Sequence, residues 1–239
     1  MEPEGEEFRL EAENSDLRLL LAKAGIDAAE QEVARKLQRV LLEELHHRVK
    51  NILATVQAIT SFSLRAAQSV EEGQRAIESR LGALGRVHDL LLQTNWTTAK
   101  IGAILSAAIE PFNASGNKRF LVRASDIDVT PNAVLPLALV LNELCTNAVK
   151  YGALSSPAGR VEIDAAVDDN GEHFLLAWAE KNGPVVEKPK RRSFGSTLIE
   201  RAFVAQLNGK ARLDFEPAGV QYRLEVPLAV LRAQTPAQT

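Results

Sequence analysis

The chain has 239 residues, 46% of them hydrophobic and 25% charged, which is the composition of a folded globular protein with room for one large or two modest domains, not of a disordered or disulfide-stapled chain. Lysine and arginine total 28 against 31 aspartates and glutamates, for a net charge of -3, so no excess of positive charge draws the chain to nucleic acid. The longest apolar run, 133–141, falls short of the ~20 residues of a membrane span, residues 1–30 lack a signal pattern, and the single cysteine, Cys145, excludes an internal disulfide and fits a reducing cytoplasm.

Residues 1–13 are acidic and weakly periodic, as expected of a frayed start or a linker. Ser15 and Asp16 are placed to cap a short helix through Leu17, Leu20 and Leu21, which Gly25 would end, and Asp27 to cap the next, so a small helical hairpin is expected. From 28 to about 64 there is no Gly or Pro, and Leu45, Val49, Ile52, Val56 and Ile59 form a heptad-like seam that Leu37 and Leu41 join with a drift in register. After 66–69 the pattern resumes with Ile77, Leu81, Leu84, Val87 and Leu91, which predicts a second, antiparallel helix. Such a pair leaves its stripe bare unless another domain or another pair covers it, and a homodimeric four-helix bundle would do so.

Beyond Trp96 the pattern changes to a helix over 101–112, a strand over 120–123, and a helix from the Thr130-Pro131 start to Tyr151, ended by Gly152. Strands over 161–167 and 173–179 flank the Asp-Asp-Asn-Gly turn at 168–171. A helix over 196–207 and strands over 211–215 and 222–226, parted around Pro217-Ala218-Gly219, complete an α+β domain with a mixed, antiparallel-rich sheet. The expected organisation is a linker and short helix over 1–26, a helical hairpin over 27–95, the α+β domain over 96–232 and a tail over 233–239.

Three constellations carry chemistry. At about 100° per residue, His47 lies nearly opposite the arc of Leu45, Val49, Ile52 and Val56, with Lys50 and Asn51 to either side, whereas His46 flanks the seam. An outward imidazole beside a cation suits a nucleophile towards phosphorus. On the helix of 131–151, Glu143, Asn147 and Lys150 share one face: Asn147 can give Mg²⁺ a hard oxygen, Glu143 can serve as a base or orient a metal-bound water, and Lys150 can neutralise phosphate. Finally, Gly195 with Ser196 and Thr197 at a helix start suits an anion, and Glu180 beside the Asn182-Gly183 turn can accept from an exocyclic amine.

In this order the motifs resemble the HWE sensor histidine kinases, over about residues 35–228: ELHHRVKN at 44–51, RVHDLLL at 86–92, NELCTNAVKYGALS at 142–155, WAEKNGP at 178–184 and FGSTLIER at 194–201. The resemblance implies a dimerisation and phosphoacceptor hairpin joined to a Bergerat-type (GHKL) ATP-binding domain, which autophosphorylates His47 and passes the phosphoryl group to an aspartate of a response regulator receiver domain. It implies ATP and Mg²⁺ as ligands, Asn147 as the metal-binding asparagine with Glu143 as its acidic companion, and Lys150, Tyr151, Glu180, Gly183, Gly195, Ser196, Thr197 and Leu198 along the nucleotide. The sequence departs from the family's form at Asn142 (usually His), Asn182 (usually Gly) and Ser193 (usually Gly), which predicts altered nucleotide affinity. No input domain is recognisable before residue 30, so the signal is expected through a separate sensor protein or the N-terminal helices. The competing readings are a histidine phosphotransferase or scaffold with a degenerate nucleotide site, and an ATPase that uses Glu143 to activate water.

Overall fold

The structure, a computed structural model, describes residues 4–113, 119–187, 199–200 and 203–232. Helix α1 runs unbroken from Glu4 to Ala66, so the short helix ended by Gly25 and the small hairpin after it do not form. Gly25 sits on an open face of the helix with nothing within 4 Å of where a Cβ would stand. One exposed helical glycine costs only about 1 kcal/mol against alanine, and the good helix formers on either side outweigh it. Ser15 and Asp16 therefore lie inside α1 and cap nothing.

Helix α2 covers Val70–Gln93 and begins at Ser69, whose hydroxyl accepts from the Glu72 N–H at 3.2 Å, with Glu71 and Glu72 in the first turn. Its buried residues are Gly73, Arg80, Ala83, Val87 and Leu91. They do not wait for a second hairpin: α2 packs on α3 (Ile101–Ile109) and α4 (Pro131–Lys150), and Val87 and Leu91 share one core with them. For this reason the chain divides into compact units at Met1–Ala58 and Ile59–Thr239, within α1 rather than at 95/96.

The main sheet has five strands in the order β2 (Phe120–Ala124), β4 (Arg160–Val167), β5 (His173–Lys181), β7 (Gly219–Pro227), β6 (Lys210–Glu216). The β2–β4 pair is parallel and the rest antiparallel, the mixed, antiparallel-rich sheet expected. A two-residue ladder of β1 (Ala99–Lys100) and β3 (Asp128–Val129), which periodicity does not reveal, brackets α3. Along the strands Val161, Ile163, Phe174, Leu176, Trp178, Tyr222 and Leu224 are buried and their neighbours less so, the alternation of a sheet covered on one face. Short helices α5 (Phe203–Gln206) and α6 (Leu228–Leu231) complete the described fold; most of the helix expected over 196–207 lies outside the described residues.

Helix α4 positions the site. Pro131 occupies its first turn, where a missing N–H costs nothing. It is long and apolar enough to cross a membrane, yet 72% of that stretch is buried inside the fold, which marks it as the core helix.

Candidate functional site

Where α4 ends beside the last residues of β5, a cleft of about 350 Å³ opens, lined by Leu144, Asn147, Tyr151, Gly152, Glu180 and Phe215 among others. Glu180 closes its inner wall at 3% exposure. The Ala153 N–H donates to its Oε2 at 2.6 Å and the Trp178 indole N–H reaches Oε1 at 3.5 Å. Burial pushes the carboxyl above its ordinary range, and these two donors hold part of that rise back. The backbone is packed too tightly here for side chains: a Cβ on Gly152 would strike the Glu180 carboxylate, and one on Gly183 would stand 2.6 Å from the Ala153 Cα. Asn182, in the glycine position of the motif, has φ +57°, the left-handed conformation that asparagine tolerates better than most residues. The turn keeps the glycine geometry.

Glu143 does not lie on a solvated face. It is buried at 6% exposure, and the Arg80 guanidinium grips it with Nε to Oε1 at 2.7 Å and Nη2 to Oε2 at 2.9 Å. Arg80 Nη1 donates to the Ser63 hydroxyl, which donates to the Ile59 carbonyl. One residue earlier on each helix, the Asn142 amide donates to the Ser79 hydroxyl at 3.1 Å. These bonds join α2 to α4. In this conformation Glu143 is therefore an anchor between the two helices. A second cavity of about 300 Å³ is lined by Glu143 together with Arg75, Arg80, Asn147, Lys150 and Tyr151. Asn147 and Tyr151 thus face both cavities, and Lys150 only the second.

His47 is exposed on α1, as are His46, Lys50 and Asn51. Leu45 and Val49 are themselves 55% and 46% exposed, so within this chain the two histidines are not told apart by burial. Gly195, Ser196, Thr197 and Leu198 lie outside the described residues. Cys145 is buried in the core, and desolvation lifts its thiol well above its ordinary value, which leaves it inert.

The structure therefore gathers Asn147, Tyr151, Glu180 and Gly152 around one cleft and sets Lys150 at its neighbour. Sequence reasoning missed Arg80, although its place between Ile77 and Leu84 in an apolar stripe signals that a buried charge needs a partner. It also missed Arg119, whose partners are all backbone carbonyls; nothing in the sequence marks them.

The residues suit a magnesium-bound nucleotide. The cleft has the volume of a small-molecule site, Glu180 is an acceptor at its closed end, and Asn147 supplies an amide oxygen.

Residues 44–126 match the family model described as HWE histidine kinase. Over 204 residues, 84% of the chain, the sequence is 36% identical to proteins named blue-light-activated histidine kinase from Brucella ovis and Brucella abortus; the chain spans 42% of the length of those relatives. In fold it is similar to the histidine kinase domain of a blue-light activated histidine kinase from Erythrobacter litoralis, with TM-score 0.55 and 18% identity, covering 74% of this chain and 84% of that one. A longer structure of the Erythrobacter litoralis protein gives TM-score 0.58 at 22% identity, over 79% of this chain and 59% of that one. Residues 44–126 thus carry the HWE histidine kinase domain, and the chain is similar over 84% of its length to histidine kinases.

Proposed function

We propose that the chain is the kinase region of an ATP-dependent protein histidine kinase, which autophosphorylates His47 and hands the phosphoryl group to an aspartate of a response regulator. The observation that carries this reading is the cleft in which a buried Glu180 carboxylate, walled by glycine backbone, faces the same space as Asn147. Glu180 accepts from the exocyclic amine of the base, Asn147 offers its amide oxygen to the cation, Lys150 neutralises phosphate, and Tyr151 borders the opening. Gly183 keeps the backbone close to Ala153, and Gly195, Ser196, Thr197 and Leu198 complete the phosphate side. Bound MgATP supplies the γ-phosphoryl group and a cation that offsets its charge. An imidazole nitrogen of His47 forms the new N–P bond as the bond to ADP breaks. Glu143, held by Arg80 at the second cavity, is the acidic group of the site.

A chain of this kind works in the cytoplasm as a homodimer: Leu41, Leu45 and Val49 stand exposed along α1 within an arc of about 80°, an apolar face that a second copy would cover. On α2, Val87 and Leu91 are taken up by the core, and Ile77, Leu81 and Leu84 remain half-buried. A separate sensor, or a signal entering through the N-terminal helix, supplies the input. The alternative of a phosphotransferase or scaffold with a degenerate nucleotide site is disfavoured by Asn182, which keeps the turn that a glycine would make.

Labelled ATP with Mg²⁺ tests the reading. Wild type is expected to take up acid-labile label, and His47→Ala to bind ATP without labelling. A wild type that neither labels nor binds ATP would favour the relay.

A further inference from the structure

The loop between α4 and β4 is held from outside the cleft by one side chain. The Arg119 guanidinium donates through Nε to the Gly159 carbonyl at 2.9 Å, and through Nη2 to the Ala153 carbonyl at 3.3 Å and to the Ser156 carbonyl. Arg119 is itself fixed at the entry to β2, because its carbonyl accepts from the Val161 N–H at 2.8 Å. It is half-buried and is not among the residues lining the cleft. The loop it grips contains the residue that orients Glu180: the Ala153 N–H is the 2.6 Å donor to that carboxylate. Ala153 is also the residue against which Gly183 packs, and Gly159 leaves no room for a Cβ beside its carbonyl.

Ala153 is thus held on two sides, its carbonyl by Arg119 and its N–H by Glu180. Charge-assisted bonds from a planar guanidinium are strong and fix direction as well as distance. A binding group must be held to within about 0.5 Å to discriminate well. The Ala153 N–H also favours the charged form of Glu180 against the burial that opposes it. A loosened loop would both misplace the carboxylate and weaken its charge.

We propose that Arg119 is a positioning residue that sets the Glu180 carboxylate, and so determines nucleotide affinity and the preference for adenine over guanine. This rests on reading the Glu180 cleft as the site of the base. An ionised carboxylate can only accept hydrogen bonds; it pairs with the exocyclic amine of adenine and repels the carbonyl oxygen that guanine presents at the same place.

The test is the dissociation constants of MgATP and MgGTP for wild type, Arg119→Ala, Arg119→Lys and Glu180→Ala, with kcat and KM for autophosphorylation alongside. Arg119→Ala is expected to weaken ATP about tenfold, to raise KM with little change in kcat, and to lower the ATP-to-GTP preference towards that of Glu180→Ala. Arg119→Lys, which keeps a charge but not the fork, falls between. Should Arg119→Ala fail to fold, Arg119→Lys carries the test, with the same loss of preference expected in smaller degree. Unchanged affinity and preference in the folded Arg119 variants, with both lost in Glu180→Ala, would overturn the role of Arg119. A fall in kcat at constant KM would overturn it too. Wild-type ATP affinity in Glu180→Ala would instead remove the reading of the cleft, and this proposal with it.

Discussion

Glu180 shows how one buried carboxylate ties chemistry to pH. Burial, the largest influence on it, raises its carboxyl above the ordinary 4.5. The folded chain therefore holds that proton more tightly than the unfolded one. On linkage, Glu180 favours the fold below pH 4.5 and withdraws that support as pH rises through its raised folded value. Binding runs the other way, because the amine of the base needs the charged acceptor. ATP affinity measured by titration is expected to fall as pH drops through the raised value of Glu180, and Glu180→Gln to bind more weakly and lose that acid limb; an identical pH profile in both would count against the assignment. Asn147→Asp is expected to stay folded, since Asn147 is only half-buried, and to lose phosphorylation, because a second charge beside the triphosphate alters where the cation sits. Near-normal labelling in the folded variant would remove Asn147 from the metal site. Both residues were legible in the sequence because each stands in a motif with local spacing. Arg80 was not, because its partner Glu143 lies 63 positions away and only the docking of two helices brings them together.

At the scale of elements, the start of α4 and the strands of the main sheet were legible, the largest misplacement being the start of β7 at Gly219 where the sequence suggests 222, since alternation and the Thr130-Pro131 start act locally. The short β1–β3 ladder was not, and neither were two further features. Gly25 reads as a stop but sits inside α1, because a stop needs a left-handed residue and a closing hydrogen bond as well as a glycine. The stripe of α2 reads as a bundle seam, but its later residues Val87 and Leu91 are buried in the core shared with α3 and α4 while Ile77, Leu81 and Leu84 stay half-buried, because an apolar stripe does not name its partner. The joint between α2 and α4 is the buried Arg80–Glu143 pair, and its measurement is unfolding in urea. Arg80→Ala leaves a buried charge without its counter-ion and is expected to cost about 3–5 kcal/mol. The double variant Arg80→Met, Glu143→Leu is expected to recover most of that loss. A single variant as stable as wild type would mean that the pair opens freely in solution.

For the whole molecule, the exposed apolar residues of α1 from Leu37 to Leu53 are the feature left unexplained by one chain. Light scattering at micromolar concentration is expected to give twice the mass of the chain, and Leu37→Glu with Leu41→Glu to return it to a single chain; a single-chain mass for wild type would contradict the dimer. The chain spans 42% of the length of the relatives it matches. Whether the Glu180 cleft serves His47 is tested most directly by mapping the phosphorylated residue after incubation with MgATP, comparing wild type with His46→Ala and His47→Ala. A phosphoramidate is expected on His47 in wild type and in His46→Ala, and none in a His47→Ala protein that still binds ATP. Phosphate on His46, or label that persists in His47→Ala, would contradict it.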